Sequence, residues 1–213
     1  MRNRTIATCL GVLLATLCSR AMPARACMGT TVLLQDDFKT MEANWGQPSA
    51  LISVQNGHLI LKPALNTETE ALNNGNVFTD MDACVDVMAT ALGPEMQHSY
   101  GGLVFWATDL SNYYEFMVSG TGTYGIFRRL AGRWITVVNF TLNAAVKKGV
   151  NQTNQLRVVT KGNQAALYIN GTQMTSLSGQ PPAGGGEIGL SGAAGTKTQA
   201  VWQFSNLKIT NAS

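Results

Sequence analysis

Charged residues are scarce in this sequence. Asp, Glu, Lys and Arg together make up 13% of its 213 residues, about half the ~25% share of an average globular protein. Asn, Gln, Thr, Ser and Gly supply the polar character instead, with 22 glycines alone. A neutral surface rich in amides and hydroxyls is suited to an extracellular protein and to neutral polar ligands.

The sequence also lacks an apolar run long enough to cross a bilayer, which takes about 20 residues. Its most apolar segment, 6–17, follows two arginines and precedes an A-x-A cleavage pattern at 24–26. These features predict a signal peptide over 1–26 and one domain over 27–213; an uncleaved N-terminal anchor is the alternative. We therefore expect a secreted or periplasmic protein that does not insert into the membrane once the signal is removed.

A basic surface is missing as well. Four of the 15 Lys and Arg residues lie within 1–26, whereas all 12 Asp and Glu residues lie beyond it. The mature chain therefore has 11 basic and 12 acidic residues, a net charge of −1. This balance gives no basic footprint for nucleic acid, so we expect no nucleic-acid partner.

Cysteine is rare. Of four cysteines, two fall within 1–26, which leaves Cys27 and Cys84. This pair lacks the spacing of a C-x-x-C redox motif or a zinc site. Two thiols in an oxidising compartment most simply join, so we predict a structural disulfide between Cys27 and Cys84.

No stretch has the 3.6-residue apolar period of an amphipathic helix, and the segment 67–72 is at most one or two helical turns. Short apolar segments instead alternate with turn signals such as Asn56-Gly57, as in antiparallel strands. We predict strands near 31–35, 51–54, 58–62, 75–80, 82–91, 99–107, 112–118, 123–129, 134–142, 153–160, 164–170, 186–191 and 200–210. Thirteen strands in one domain require two packed sheets or a closed barrel.

The clearest strand pattern lies in the run 101–137, where successive side chains alternate between the two faces of a sheet. The apolar face, which we predict to be in the core, carries Leu103, Phe105, Tyr114, Phe116 and Val118. The opposite face then carries His98, Tyr100, Trp106, Tyr113 and Glu115.

This second face predicts a carbohydrate-binding surface, because aromatic rings stack on pyranose faces and a carboxylate accepts hydrogen bonds from hydroxyls. The alternative is that Trp106 and Tyr113 form a cross-strand pair that only stabilises the sheet. A third interpretation makes His98 and Glu115 a general-base pair.

Catalytic motifs are sparse. A retaining glycosidase needs two carboxylates about 5 Å apart, and the pairs Glu68/Glu70 and Asp80/Asp82 and the looser Asp82/Asp86 have suitable spacing. Glu68 and Glu70 fall in a polar segment predicted to be a loop without flanking aromatic residues. There is no G-x-S-x-G, HExxH or P-loop motif, so the sequence favours binding over catalysis.

A basic cluster, Arg128, Arg129 and Arg133, precedes Trp134. It suggests either a site for an acidic ligand or a cation–π contact with the tryptophan. The simpler interpretation is that these arginines are solvated on an outer strand.

Two acidic residues, Asp36 and Asp37, fall at the first strand. We expect no cofactor, with one alternative: these carboxylates bind a structural calcium ion together with carbonyl groups of the C-terminal strand. The competing interpretation is an acidic edge that discourages pairing between sheets.

The order of motifs along the chain resembles the concanavalin A-like lectin/glucanase superfamily. These motifs are DDF, Trp45, GHLIL, GLVFWA, NYYEFMVS, TYGIFRR, GRW, NQLRVVTKGNQAALYINGT, GEIGLSG and WQFSNLKI, and they span Asp36 to Ile209. Within the superfamily the chain is most similar to the laminin-G-like and 3-keto-disaccharide hydrolase-like domains of exported bacterial proteins.

The resemblance implies a jelly-roll sandwich of two curved antiparallel sheets with its ligand on the concave face or at loops on the rim. Family 16 glycoside hydrolases of this superfamily carry an ExDxxE strand, whereas no Glu-x-Asp occurs here. We therefore expect a non-catalytic protein that binds a glycan or small saccharide. The alternatives are a structural module that binds a protein partner or self-associates, and a glycoside or 3-keto-disaccharide hydrolase.

Overall fold

The structure, a computed structural model, describes residues 27–212; the predicted signal peptide over 1–26 lies outside them. The chain folds into strands joined by turns and by two 3₁₀ turns, Ala43–Trp45 and Met96–His98. No helix in the described part is long and apolar enough to cross a membrane. The strands are β1 Val32–Asp36, β2 Ile52–Gln55, β3 His58–Leu61, β4 Glu68–Phe78, β5 Met81–Ala91, β6 Tyr100–Asp109, β7 Asn112–Ser119, β8 Thr123–Leu130, β9 Arg133–Leu142, β10 Thr153–Lys161, β11 Gln164–Ile169, β12 Thr172–Ser178, β13 Gly186–Ala193 and β14 Val201–Thr210.

The strands form two antiparallel sheets. The eight-stranded sheet has the order β12-β11-β10-β5-β14-β3-β2, with β1 also paired to β14, and the six-stranded sheet has the order β4-β13-β6-β7-β8-β9. One hydrophobic core fills the space between the sheets and takes residues from both. This confirms the predicted all-β fold, a jelly-roll sandwich.

The predicted core face of the central run is confirmed. Its members all belong to the main core cluster: Leu103, Phe105, Tyr114, Phe116 and Val118. Between them the sheets approach closely at Gly101, where a Cβ atom would lie 2.5 Å from Cε3 of Trp202. A glycine is therefore needed at this position.

Two elements differ from the prediction. Strand β12 is absent from the predicted set, and 67–72 is not helical but begins strand β4. In β4, Thr69 and Ala71 are buried while Glu68 and Glu70 face the other way. The two-residue alternation is present, but polar residues occupy both faces, so hydrophobicity alone does not reveal the strand.

The predicted disulfide is confirmed, since Cys27 and Cys84 are bonded with their Cα atoms 5.7 Å apart. Beside it lies Asp82, which has no exposed surface. Its carboxylate accepts hydrogen bonds from Nε and Nη2 of Arg157 on β10, both at 2.7 Å, and from the Met28 N–H at 2.8 Å. The bond therefore ties the start of the described chain to β5, next to a buried ion pair.

One grouping of described residues, Cys27, Asp82 and Cys84, has the spacing of metal ligands, but the disulfide uses both sulfur atoms. At Asp36, the carboxylate oxygens accept hydrogen bonds from the Phe38 N–H and from Nε1–H of Trp45, each at 2.7 Å. These contacts account for its burial at the end of β1. Calcium binding at Asp36 and Asp37 stays a prediction.

Candidate functional site

Alternate residues of the six-stranded sheet point away from the core and form its outer face. Glu115 on β7 lies opposite Phe127 on β8, and Tyr113 lies opposite Arg129, so these four share that face. The same pairings continue across the sheet. They add Glu68 and Glu70 on β4, Ser191 on β13, Tyr100 on β6, and Trp134 on β9.

An ion pair shows that this face is concave. Nη1 of Arg129 lies 3.0 Å from Oε1 of Glu70, although three strands separate β8 from β4 in the sheet. Four strand spacings would hold the two backbones about 19 Å apart in a flat sheet, farther than the two side chains reach. The sheet must therefore curve toward this face.

A cleft of about 660 Å³ opens on the concave face near the start of β6. Its floor and walls combine Glu68, Tyr100 and Met117 with the aromatic side chains of Phe127, Trp134 and Phe140. Trp134 is 46% exposed. The cleft therefore presents aromatic surface beside a carboxyl group, which is typical of a site for a small polar ligand.

A pair of carboxyl groups lies beside the cleft: Glu68 lines it, and Glu115 is buried next to Glu68. Glu115 is fully buried, and Ser191 Oγ–H donates to its Oε1. Glu115 Oε2 and Glu68 Oε1 are buried, and neither has a hydrogen-bond partner among the described residues. Burying carboxyl groups disfavours their charged form.

The protonation of this pair follows from that burial. Burial raises the pKa of Glu68 to about 7; the adjoining Glu115 carboxyl opposes the rise and the nearby Glu70 carboxylate adds to it. Burial, reinforced by the charge of Glu68, raises the pKa of Glu115 well above its usual value. Glu115 therefore keeps its proton to a higher pH than an ordinary glutamate, while Glu68 titrates near neutral pH.

A second polar group, formed by Glu70, Tyr113 and Arg129, lies beside this pair. Tyr113 Oη–H donates to Glu70 Oε1 at 2.8 Å, next to the Arg129 contact. Arg129 also lies over the ring of Trp134, 5.3 Å from its centroid, which confirms the cation–π interpretation for one of the three arginines. These contacts fix the Trp134 ring at the cleft wall.

Four of the five predicted ligand-binding residues lie on or beside the concave face: Tyr100 and His98 line the cleft, and Tyr113 and Glu115 lie on the neighbouring strand β7. Tyr113 is 1% exposed and, like Glu115, is buried rather than on an open surface, because the curved sheet folds neighbouring side chains over it. His98 lies in the 3₁₀ turn before β6 and lines the cleft. No hydrogen bond or ion pair joins His98 to Glu115 in the described chain, so the general-base pair is not formed.

The prediction that Trp106 lies on this face is wrong. Its φ of +51° marks a break in the strand, and the pairing of β6 with β7 shifts register between Phe105 and Asp109. This bulge turns the side chain inward, where it joins the core cluster. Tyr113 makes its edge-on aromatic contact with Trp134 instead, at 5.8 Å between ring centroids.

The sequence analysis weighed Glu68 only in a carboxylate pair with Glu70 and did not select it as a site residue, because its segment was predicted to be a loop. Glu68 and Glu70 are two residues apart on one face of β4 and lie among aromatic residues contributed by β6 to β9. The signal in the sequence is the alternation of glutamates with Thr69 and Ala71. Trp134 was weighed only as a partner of the arginines.

The fold and the cleft define a class: a concanavalin A-like jelly-roll sandwich with its candidate site on the concave face. Within that class, the chain belongs to the family of 3-keto-alpha-glucoside-1,2-lyase-like domains, whose sequence profile matches residues 33–210. No functionally curated protein matches the chain by sequence.

Solved structures share the fold at low sequence identity. The carbohydrate-binding module CBM66 from Bacillus subtilis superposes with a TM-score of 0.58 at 15% identity, over 72% of this chain and 86% of that one. The β-glucanase of Bacillus licheniformis superposes with a TM-score of 0.59 at 10% sequence identity, over 84% of this chain and 97% of that one. The carbohydrate recognition domain of Emp47p superposes with a TM-score of 0.63 at 14% sequence identity, over 84% of this chain and 95% of that one. At these identities the likeness concerns the fold.

Proposed function

We propose that the protein is an exported carbohydrate-binding protein that holds a saccharide in the concave-face cleft. The observation that carries this proposal is the exposed ring of Trp134 beside the buried carboxyl pair Glu68 and Glu115. The ring offers a stacking surface for a pyranose, and the Glu68 carboxyl group, which lines the cleft, offers an acceptor to hydroxyls. The disulfide and the A-x-A segment support export.

Replacing Trp134 with alanine is expected to weaken saccharide binding about 10- to 100-fold, since losing a buried aromatic contact costs ~1.5–3 kcal/mol. Calorimetric titration of the purified protein with a panel of neutral disaccharides measures this. The matched control is Leu142→Ala, an exposed residue at the other end of β9, which should leave affinity unchanged. Equal affinities in the native protein and the Trp134→Ala variant would contradict the proposal.

A second candidate function is elimination from a 3-keto-glucoside, and the near-neutral pKa of Glu68 favours it. In such a 1,2-elimination a base removes the C2 proton, which the C3 ketone acidifies, while the C1–O bond breaks and the leaving oxygen takes up a proton. A base works best when its pKa is near the operating pH. Glu68 has that property and lines the cleft, with the buried Glu115 carboxyl beside it.

This candidate predicts that a 3-keto-α-glucoside disaccharide is cleaved at a rate that rises as pH passes through about 7. Glu68→Gln should lower kcat by about 10²–10⁴-fold, the usual contribution of a general base. Glu42→Gln, which changes an exposed glutamate outside the cleft, is the control. Release of the leaving sugar, followed by chromatography, measures the rate. Full activity in Glu68→Gln would rule out this role.

A further inference from the structure

A second pocket, of about 180 Å³, lies at the opposite end of the same strands from the cleft. We call it the rim pocket. Its principal lining residues are Trp106, Tyr114, Arg128, Arg129, Gln180 and Pro182. The cleft lies at the Tyr100 end of β6, whereas the rim pocket lies at the Trp106 end. The two sites are therefore separate.

Trp106 enters the rim pocket because of the bulge in β6. The residue is 3% exposed, and its Nε1–H is buried without an acceptor among the described residues. A Cβ atom at Gly179 would lie 2.3 Å from Cζ3 of Trp106, so the loop before β13 packs directly on the indole. A buried donor without a partner is costly, and a bound acceptor would satisfy it.

Arg128 adds donors to the same pocket. The Arg128 guanidinium lies 5.1 Å from the centroid of the Tyr114 ring, and it forms no ion pair with any described residue. Arg129 also borders the pocket, but its guanidinium is directed to Glu70 and Trp134 on the concave face. Trp106 meets the same Tyr114 ring edge-on at 5.4 Å, which brings the indole and the Arg128 guanidinium to one aromatic ring.

The charge around the rim pocket is complementary to an anion. None of the described residues that line it is Asp or Glu. The carboxylate of Asp109 lies next to Asn112, a lining residue, and accepts hydrogen bonds from the Ser111 N–H at 2.6 Å and the Asn112 amide at 3.0 Å. Its oxygens are therefore occupied, whereas the Arg128 guanidinium and the Trp106 indole N–H have no such partner.

We propose that the rim pocket binds an oxyanion, a carboxylate or sulfate group, through the Arg128 guanidinium and Trp106 Nε1–H. Such a group is either a free inorganic anion or the acidic substituent of a sugar. Hydrogen bonds from charged donors to anions are among the stronger polar contacts in proteins. This site does not depend on saccharide binding in the cleft.

The test follows the indole N–H signals of the purified protein in ¹H–¹⁵N NMR spectra at constant ionic strength. Sodium sulfate, sodium D-glucuronate and neutral D-glucose are titrated separately, and Trp106→Phe assigns the Trp106 signal. We expect a saturable shift of that signal with sulfate, with glucuronate or with both, and none with glucose. A response to glucuronate alone identifies an acidic sugar as the ligand; equal responses identify the oxyanion itself.

Arg128→Gln is expected to weaken the anion affinity about tenfold or more, the effect of losing one charged hydrogen bond. Arg133→Gln, an exposed arginine that does not line the rim pocket, should leave the affinity unchanged. The proposal is overturned if neither anion moves the Trp106 signal, or if Arg128→Gln binds as tightly as the native protein. The Trp134 signal reports the cleft separately, so failure at one site is distinguishable from failure at the other.

Discussion

Replacing Arg157 with methionine is expected to lower the free energy of unfolding by ~3–5 kcal/mol, the usual cost of leaving one buried charge without its partner. Arg157 holds the fully buried Asp82 carboxylate with two hydrogen bonds of 2.7 Å. Its guanidinium also lies over the Tyr168 ring at 4.9 Å, and methionine retains only the packing of the aliphatic stem. Urea denaturation followed by circular dichroism measures the change.

Two variants show whether the loss comes from the stranded charge. Asp82→Asn combined with Arg157→Met should recover part of the stability, because no buried charge then remains. Lys197→Met, which removes the exposed partner of Glu95 at 3.5 Å, should change stability by less than ~1 kcal/mol. A loss in Arg157→Met no larger than that of Lys197→Met would show that the buried pair contributes little.

The protein is also expected to lose about 3 kcal/mol of stability between pH 4.5 and pH 7 because of Glu68. Its pKa is about 7 in the fold, against an ordinary value of 4.5. Between these values the unfolded chain is ionised while the folded protein keeps the proton, so each pH unit favours unfolding by ~1.4 kcal/mol. The contribution is fully present below pH 4.5 and is lost as pH approaches 7. The raised pKa of Glu115 acts in the same direction.

Glu68→Gln should remove this part of the pH dependence, because glutamine is neutral at every pH and fills the same space. Glu115→Gln should also flatten the profile, because it removes the second raised pKa. The variant should still fold, since the glutamine carbonyl oxygen can accept the hydrogen bond from Ser191. Glu42→Gln, an exposed change, should leave the profile as it is. Thermal unfolding temperatures measured from pH 4.5 to 8 test this; identical profiles in the native protein and Glu68→Gln would contradict it.

The carboxyl pair has a consequence for function. A fold that keeps two glutamates out of water loses stability at neutral pH, and groups with perturbed pKa values of this kind cluster at functional sites. The pair lies at the cleft, where Tyr100 and Trp134 provide the aromatic surface. Both candidate functions need the Glu68 carboxyl group at the cleft, as a hydrogen-bond acceptor in binding and as a base in elimination. Its substitution is therefore informative for both.

The sequence by itself determined most of the strands, the core face of the central run and the disulfide. Leu103, Phe105 and Phe116 face the core because a strand alternates its side chains every two residues, and that rule depends only on local geometry. The disulfide followed from counting, since one pair of cysteines remained outside the predicted signal peptide. The concave-face positions of Tyr113 and Glu115 followed from the same alternation.

Only the tertiary structure decided which residues form the sites. Strands β13 and β6 lie between β4, which carries Glu68, and β7, which carries Glu115. The two side chains meet because the sheet curves. Strand order and curvature are not local properties of the chain. The bulge at Trp106, where φ is positive, places its ring in the core and at the rim pocket and not on the predicted binding face. A two-residue period predicts a face only until a bulge shifts it, and the sequence of β6 does not show where the bulge lies.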